Sequence, residues 1–129
     1  MLQRAEQDGY SLVGAAVQIL DRSDADGPLV EAPSLVRSAD GVYVLFFSSN
    51  CYSGSLYDLS YATAQHVDGP YTKSPAPLLV TPNQQAPGAA DVNIDGTKLV
   101  FHADVGGNRA QNGGMYAAEI KIQGTSVSI

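Results

Sequence analysis

Residues 29–35 read "LVEAPSL" and place a single carboxylate, Glu31, between Val30 and an Ala32-Pro33 pair at the mouth of a β-strand. The residue before a proline is held extended, so Ala32 is expected to run straight into the strand and leave Glu31 on a stiff support. A carboxylic acid held in this way is aimed at a substrate; a solvated loop carboxylate has the same sequence, and both readings stand at this point. His102 lies between Phe101 and Ala103 on an alternating strand, a placement that suits a satisfied core histidine as well as a site lining. Other chemistries find less support. Cys51 is the only cysteine, which excludes an intrachain disulfide and C-x-x-C patterns. With Asn50 and Tyr52 beside it and no basic neighbour, it reads as an inert structural thiol. No serine sits in a nucleophile-elbow motif. The Gly-rich "GGNRAQNGG" at 106–114 has no helix after it and so lacks the context of a phosphate cradle.

The elements that must position these residues are short strands. "LQRAEQ" near the start suits one helical turn, but nothing sustains a helical stripe over three turns. Strands are expected at 11–20, 33–38, 41–49, 55–64, 77–81, 90–94, 97–104, 114–122 and 125–129, with turns at "ADG" 39–41, "VDGP" 67–70, "IDG" 94–96 and "NGG" 112–114. Closely spaced strands without intervening helices mean antiparallel sheet. "DGVYVLFFSS" from Asp40 and "DGTKLVFHAD" from Asp95 form a weak repeat with a period of 55 residues (95 − 40). A strand, an Asp-Gly hairpin, a long strand, a loop and another long strand make the plan of a propeller blade. A Greek-key β-sandwich gives much the same strand count.

Bulk properties narrow the class. The 129 residues fit one domain, 1–129, and are 44% apolar and 16% charged, a globular composition. The net charge of −6 and seven scattered Lys and Arg argue against nucleic acid and anionic membrane as partners, because both need clustered cations. The longest apolar run, "VYVLFF", is far short of the roughly 20 residues that span a bilayer. No basic region followed by an apolar stretch opens the sequence, so no signal peptide is expected, and the compartment stays open.

Three stretches together, "VEAPSLVRSADGVYVLFFSSNCY", "LYDLSYATAQHVDGPYTK" and "PLLVTP…APGAADVNIDGTKLVFHADV…NRA…MYAAEI", resemble the second half of the family-43 glycoside hydrolases, over about residues 8–122. That family of five-bladed β-propellers includes arabinofuranosidases, arabinanases and xylosidases. The resemblance implies an all-β fold of antiparallel four-stranded blades, about two of the five, and inverting hydrolysis of arabinose- or xylose-containing polysaccharide. Glu31 matches the glutamate of the family's "E-x-P" motif, its general acid. His102 matches a histidine at the propeller axis, and Arg109 an arginine that contacts sugar hydroxyls. Tyr52, in the loop after "FFSS", reads as a sugar platform, whereas Tyr43, Tyr57, Tyr61, Tyr71 and Tyr116 read as blade packing. Where the family often shows "G-P-G-H", this chain has "APGAAD", so Ala89 lacks a polar side chain.

The family also uses two aspartates upstream of the acid, one as general base and one to orient the acid. Asp8, Asp21, Asp24 and Asp26 precede Glu31, and none sits in the family's catalytic motifs. Asp91 or Asp104 would be a substitute base, though each reads more simply as a turn or loop residue. No cofactor is expected; calcium, held at the axis in some members, would need oxygen ligands beside His102. A chain of two blades leaves blade faces bare, which predicts a homo-oligomer, most simply a dimer that brings two copies of Glu31 and His102 around one axis. The rival readings are a carbohydrate-binding remnant without hydrolysis and a structural fragment without a ligand.

Overall fold

The structure is a computed structural model and describes residues 1–81, 85–105 and 113–129. A hairpin of β1 (Leu2–Ala5) and β2 (Leu12–Val17) leads through a 3-10 turn at Asp24–Asp26 into a four-stranded antiparallel sheet. That sheet runs in sequence order through β3 (Val30–Arg37), β4 (Tyr43–Ser49), β5 (Asp58–Ala64) and β6 (Thr72–Lys73). The second sheet, also antiparallel and in sequence order, contains β7 (Gly88–Val92), β8 (Lys98–Asp104) and β9 (Gly113–Glu119). A final hairpin pairs β10 (Lys121–Gln123) with β11 (Ser126–Ser128).

Both sheets are propeller blades, and each follows from its residues. β4 and β5 are buried on both faces, which is why "VYVLFFSS" is a near-continuous run rich in β-branched and aromatic residues. β8 instead alternates: Leu99, Phe101 and Ala103 are buried, while Val100 and His102 point away. Val36, Val44, Phe46, Leu59 and Tyr61 of the first blade pack against Ala90, Leu99, Phe101 and Ala103 of the second, and Ile120 and Val127 close the cluster. Phe46, Leu59 and Leu99 are wholly buried, each contributing about 1.5–3 kcal/mol relative to exposure. The Tyr61 hydroxyl also accepts the Val127 amide at 3.2 Å, tying the last hairpin to the core.

The other face of the first blade is covered as well. Leu45 and Phe47 are buried there and share a cleft of about 190 Å³ with Met1, Ile19, Leu20 and Pro33. Asp26 anchors this segment. Its carboxylate accepts from the Ser23 amide (2.5 Å) and hydroxyl (2.7 Å) and pairs with Lys73 on β6, while its carbonyl accepts the Asn50 amide at 2.8 Å. The far face of the second blade carries Val100, His102, Met115 and Ala117 and is open, with Met115 84% exposed.

Several expectations are corrected. The first residues make β1, not a helical turn, because they pair with β2. "PLLVT" forms no strand; a bridge between Leu59 and Leu79 ties it to the blade, Leu78 and Leu79 pack on the core, and the two-residue β6 lies at the edge instead. The long strand expected over 114–122 breaks where Ile120 turns into the core and donates its amide to Thr97. Ala32 does not run straight into its strand. It adopts φ 51°, and the pairing with β4 shifts between Glu31 and Ser34. A residue in this left-handed region makes a bulge, and the bulge turns Glu31 away from the regular alternation that Ser34 onward obeys.

Candidate functional site

Glu31 sits on the short paired stretch before the bulge, opposite Ser48 of β4. The second blade repeats the arrangement. Gly88 lies opposite His102, Ala89 has φ 47°, and the register shifts between Gly88 and Asp91. Thus Glu31 and Gly88 hold corresponding positions, as do Ser34 and Asp91. The two first strands meet through the latter pair: the Ser34 hydroxyl donates to Asp91 Oδ1 at 2.7 Å and accepts the Val92 amide at 3.1 Å.

Tyr57, just ahead of β5, fills the space between the two positions. Its ring is 2% exposed and lies so close over Gly88 that a Cβ there would meet Cε1 at 2.1 Å. The ring stacks on His102, with centroids 5.9 Å apart and planes inclined by 19°. Its hydroxyl donates to Glu31 Oε1 at 2.8 Å. Burial pushes the phenol up to about 12; the Ser48 hydroxyl beside it offsets part of this, and the Glu31 carboxylate adds to it. Ser48 Oγ, itself fully buried, accepts the Ala89 amide at 2.8 Å, so the bulge of the second blade is pinned to the strand that faces Glu31.

Asp58, the residue after Tyr57, anchors the start of β5. That buried carboxylate accepts from the Ser49 hydroxyl (2.7 Å), the Ser60 hydroxyl (3.1 Å) and the Asn50 side-chain amide (3.0 Å). From the segment between β6 and β7, Thr81 donates its hydroxyl to the carbonyl of Ser55 on the Tyr57 loop at 2.9 Å and accepts the Ala86 amide at 3.1 Å. The loop is therefore fixed at both ends, and Glu31 is the exposed carboxylate that its tyrosine reaches.

The structure brings together two of the residues singled out from sequence, Glu31 and His102, through Tyr57. Tyr52 is 69% exposed on the loop that follows β4, with its ring available to solvent. Arg109 lies outside the described residues. Asp91 accepts from the Ser34 hydroxyl and from the amide of Val92 (3.0 Å), which ties it to the bulge of the second blade. Asp104 is on the same face of β8 as His102, opposite Gly113. Cys51 is partly exposed; the Ser53 hydroxyl and amide hold its thiol below the ordinary range, and the nearby Glu31 opposes this. Calcium takes six to eight oxygen ligands. Among the described residues no three His, Cys, Asp or Glu side chains gather, and one face of His102 is taken by Tyr57.

Sequence reasoning missed Tyr57, Ser48 and Gly88. Gly88 carries a signal in hindsight, since the "PGAAD" stretch has a residue without a side chain at the place where the first blade has Glu31. Tyr57 carries none, because only the bulge brings its hydroxyl to a residue 26 positions away.

Two antiparallel blades, the first with Glu31 near the start of β3, make up a partial β-propeller. In fold the chain is similar to a thermostable family-43 glycoside hydrolase, with TM-score 0.85 and 23% identity over 98% of this chain and 45% of that one. A family-43 endo-arabinanase from Bacillus licheniformis gives TM-score 0.81 and 22% identity, covering 98% and 47%. An endo-1,4-beta-xylanase from Bacteroides thetaiotaomicron gives TM-score 0.71 and 27% identity, covering 84% and 40%. The chain spans less than half the length of these structures and has the fold of a family-43 propeller fragment. No family sequence profile and no curated protein sequence matches it.

Proposed function

We propose that this chain is the acid-bearing part of an inverting glycoside hydrolase acting on arabinose- or xylose-containing polysaccharide. The observation that carries the reading is the placement of Glu31 just before the β3 bulge, exposed and held by the Tyr57 hydroxyl, whose ring stacks on His102. In the proposed step Glu31 gives its proton to the glycosidic oxygen as the bond from C1 to that oxygen breaks. A water on the opposite face attacks C1 and loses its proton to a base about 6.5–9.5 Å from the acid. Asp91 is committed to Ser34, so the base is assigned to the rest of the ring, whether further blades or a second copy of the chain. His102, Tyr52 and Arg109 are assigned to sugar contacts, with His102 beneath the substrate. Hydrolysis of aryl arabinofuranosides and xylosides, followed in the parent and in Glu31→Gln, tests the assignment. General-acid loss lowers kcat by about 10²–10⁴-fold, and equal rates remove Glu31 from the mechanism.

A second reading is favoured by the commitment of both Asp58 and Asp91, among the described residues, to structural hydrogen bonds rather than to a pairing with Glu31. On that reading the chain binds carbohydrate without cleaving it. Saturable calorimetric binding of arabino- or xylo-oligosaccharides with no turnover selects it, and absence of both binding and turnover rejects both readings.

A further inference from the structure

We propose that Tyr57 is the positioning residue of Glu31: its hydroxyl occupies Oε1 as a standing donor, so that the transferable proton of Glu31 is carried on Oε2. The assignment rests on the reading of Glu31 as an acid and goes beyond it by naming the oxygen that acts.

The donor cannot swing away. The Tyr57 ring is stacked on His102 on one side and fills the space over Gly88 on another, and its hydroxyl reaches Oε1 at 2.8 Å. A protonated carboxyl has one O–H and one carbonyl oxygen. The oxygen that already accepts a phenol hydrogen is the carbonyl oxygen of that form, and the hydrogen resides on the other. The phenol keeps its own proton up to about pH 12, so it donates throughout any working range. The titratable groups facing the pair are Cys51, Asp58 and His102. The Cys51 thiol contacts Ser53, Asp58 is bonded to Ser49, Asn50 and Ser60, and His102 presents its face to the ring, so none competes for Oε1. In the reaction the bond between Oε2 and its hydrogen breaks, the hydrogen passes to the leaving oxygen, and the resulting carboxylate keeps the Tyr57 bond on Oε1.

Infrared spectroscopy of the whole chain carrying 13C-carboxyl glutamate reads this directly at a pH where Glu31 is protonated. The Glu31 carbonyl band is separated from those of Glu6 and Glu119 by subtracting the Glu31→Gln spectrum. Tyr57→Phe frees the carbonyl and moves its stretch to higher wavenumber; 3-fluorotyrosine at position 57, a stronger donor in the same seat, moves it lower. A band that stays put in both overturns the proposal, because the proton then sits on Oε1 and the phenol accepts. If Tyr57→Phe fails to fold, the fluorotyrosine protein decides alone. A shifting band in a chain that neither binds nor cleaves sugar keeps the positioning and removes the glycosidase reading. Hydrolysis abolished by Glu31→Gln, with the pH profile of kcat/KM unmoved in Tyr57→Phe, keeps the glycosidase and removes the positioning.

Discussion

A buried phenol between a carboxylate and a glycine makes two demands on single residues. Gly88 must have no side chain, since its Cβ would penetrate the Tyr57 ring and approach Ser48 Oγ within 2.8 Å. Gly88→Ala is expected to lower stability by roughly 1–3 kcal/mol, the usual cost of overpacking a filled space, read as a fall in the denaturant midpoint. Tyr57 also titrates differently in the two states. Its folded value of about 12 lies above the ordinary 10, so the neutral form stabilises the fold; that contribution is full below about pH 10 and is lost as pH rises toward 12. Urea melts across that alkaline window should show a stability loss that Tyr57→Phe reduces. At this scale the place of Glu31 at the entrance of β3 was legible from the sequence, and its role as an acid is a proposal that the family pattern suggests. Tyr57 was legible only as packing, since its polar contact depends on a left-handed Ala32 that the following proline gave reason to expect extended.

The strands were legible where apolar content is dense: β4, β5 and β8 fall within the stretches expected from "VYVLFF", "LYDLSYATA" and "KLVFHAD". Short edge pieces were not, because two residues such as Thr72–Lys73 carry no periodicity, and their pairing is decided by the strand beside them. The segment between β2 and β3 depends on one such piece through the Asp26–Lys73 pair. Burial alone would raise the Asp26 carboxyl, but the bonds from Lys73 and Ser23 outweigh it and hold the group below its usual value. A depressed carboxyl stabilises the fold above its unfolded value near 4 and loses that contribution as pH falls through the lower folded value. Asp26→Asn should therefore be less stable near neutrality and show a shallower acid-side decline in thermal midpoint, whereas parallel curves for parent and variant would remove the pair from the acid response.

At the scale of the whole molecule, the two blades have unequal outer faces. The first is covered by the segment carrying Ile19 and Leu20; the second presents Val100, Met115 and Ala117 around His102. An open face of this kind supports the proposal that the chain associates with itself, most simply as a two-fold dimer. Light scattering at micromolar concentration should give a mass above the 13.5 kDa of one chain, and Met115→Glu should return it to that value; a soluble parent monomer ends the idea of an active site shared between copies. The repeat of Asp40 and Asp95 disclosed the kinship of the blades but not their difference, which lies in one seat occupied by Glu31 in the first and by Gly88 in the second. A ring assembled from identical copies of the first blade would place a glutamate in every seat and leave the tyrosine nowhere to lie. The order of the blades is thus written into the chain by a missing side chain, and exchanging the two by permutation would cost the protein its carboxylate anchor even if every strand still paired.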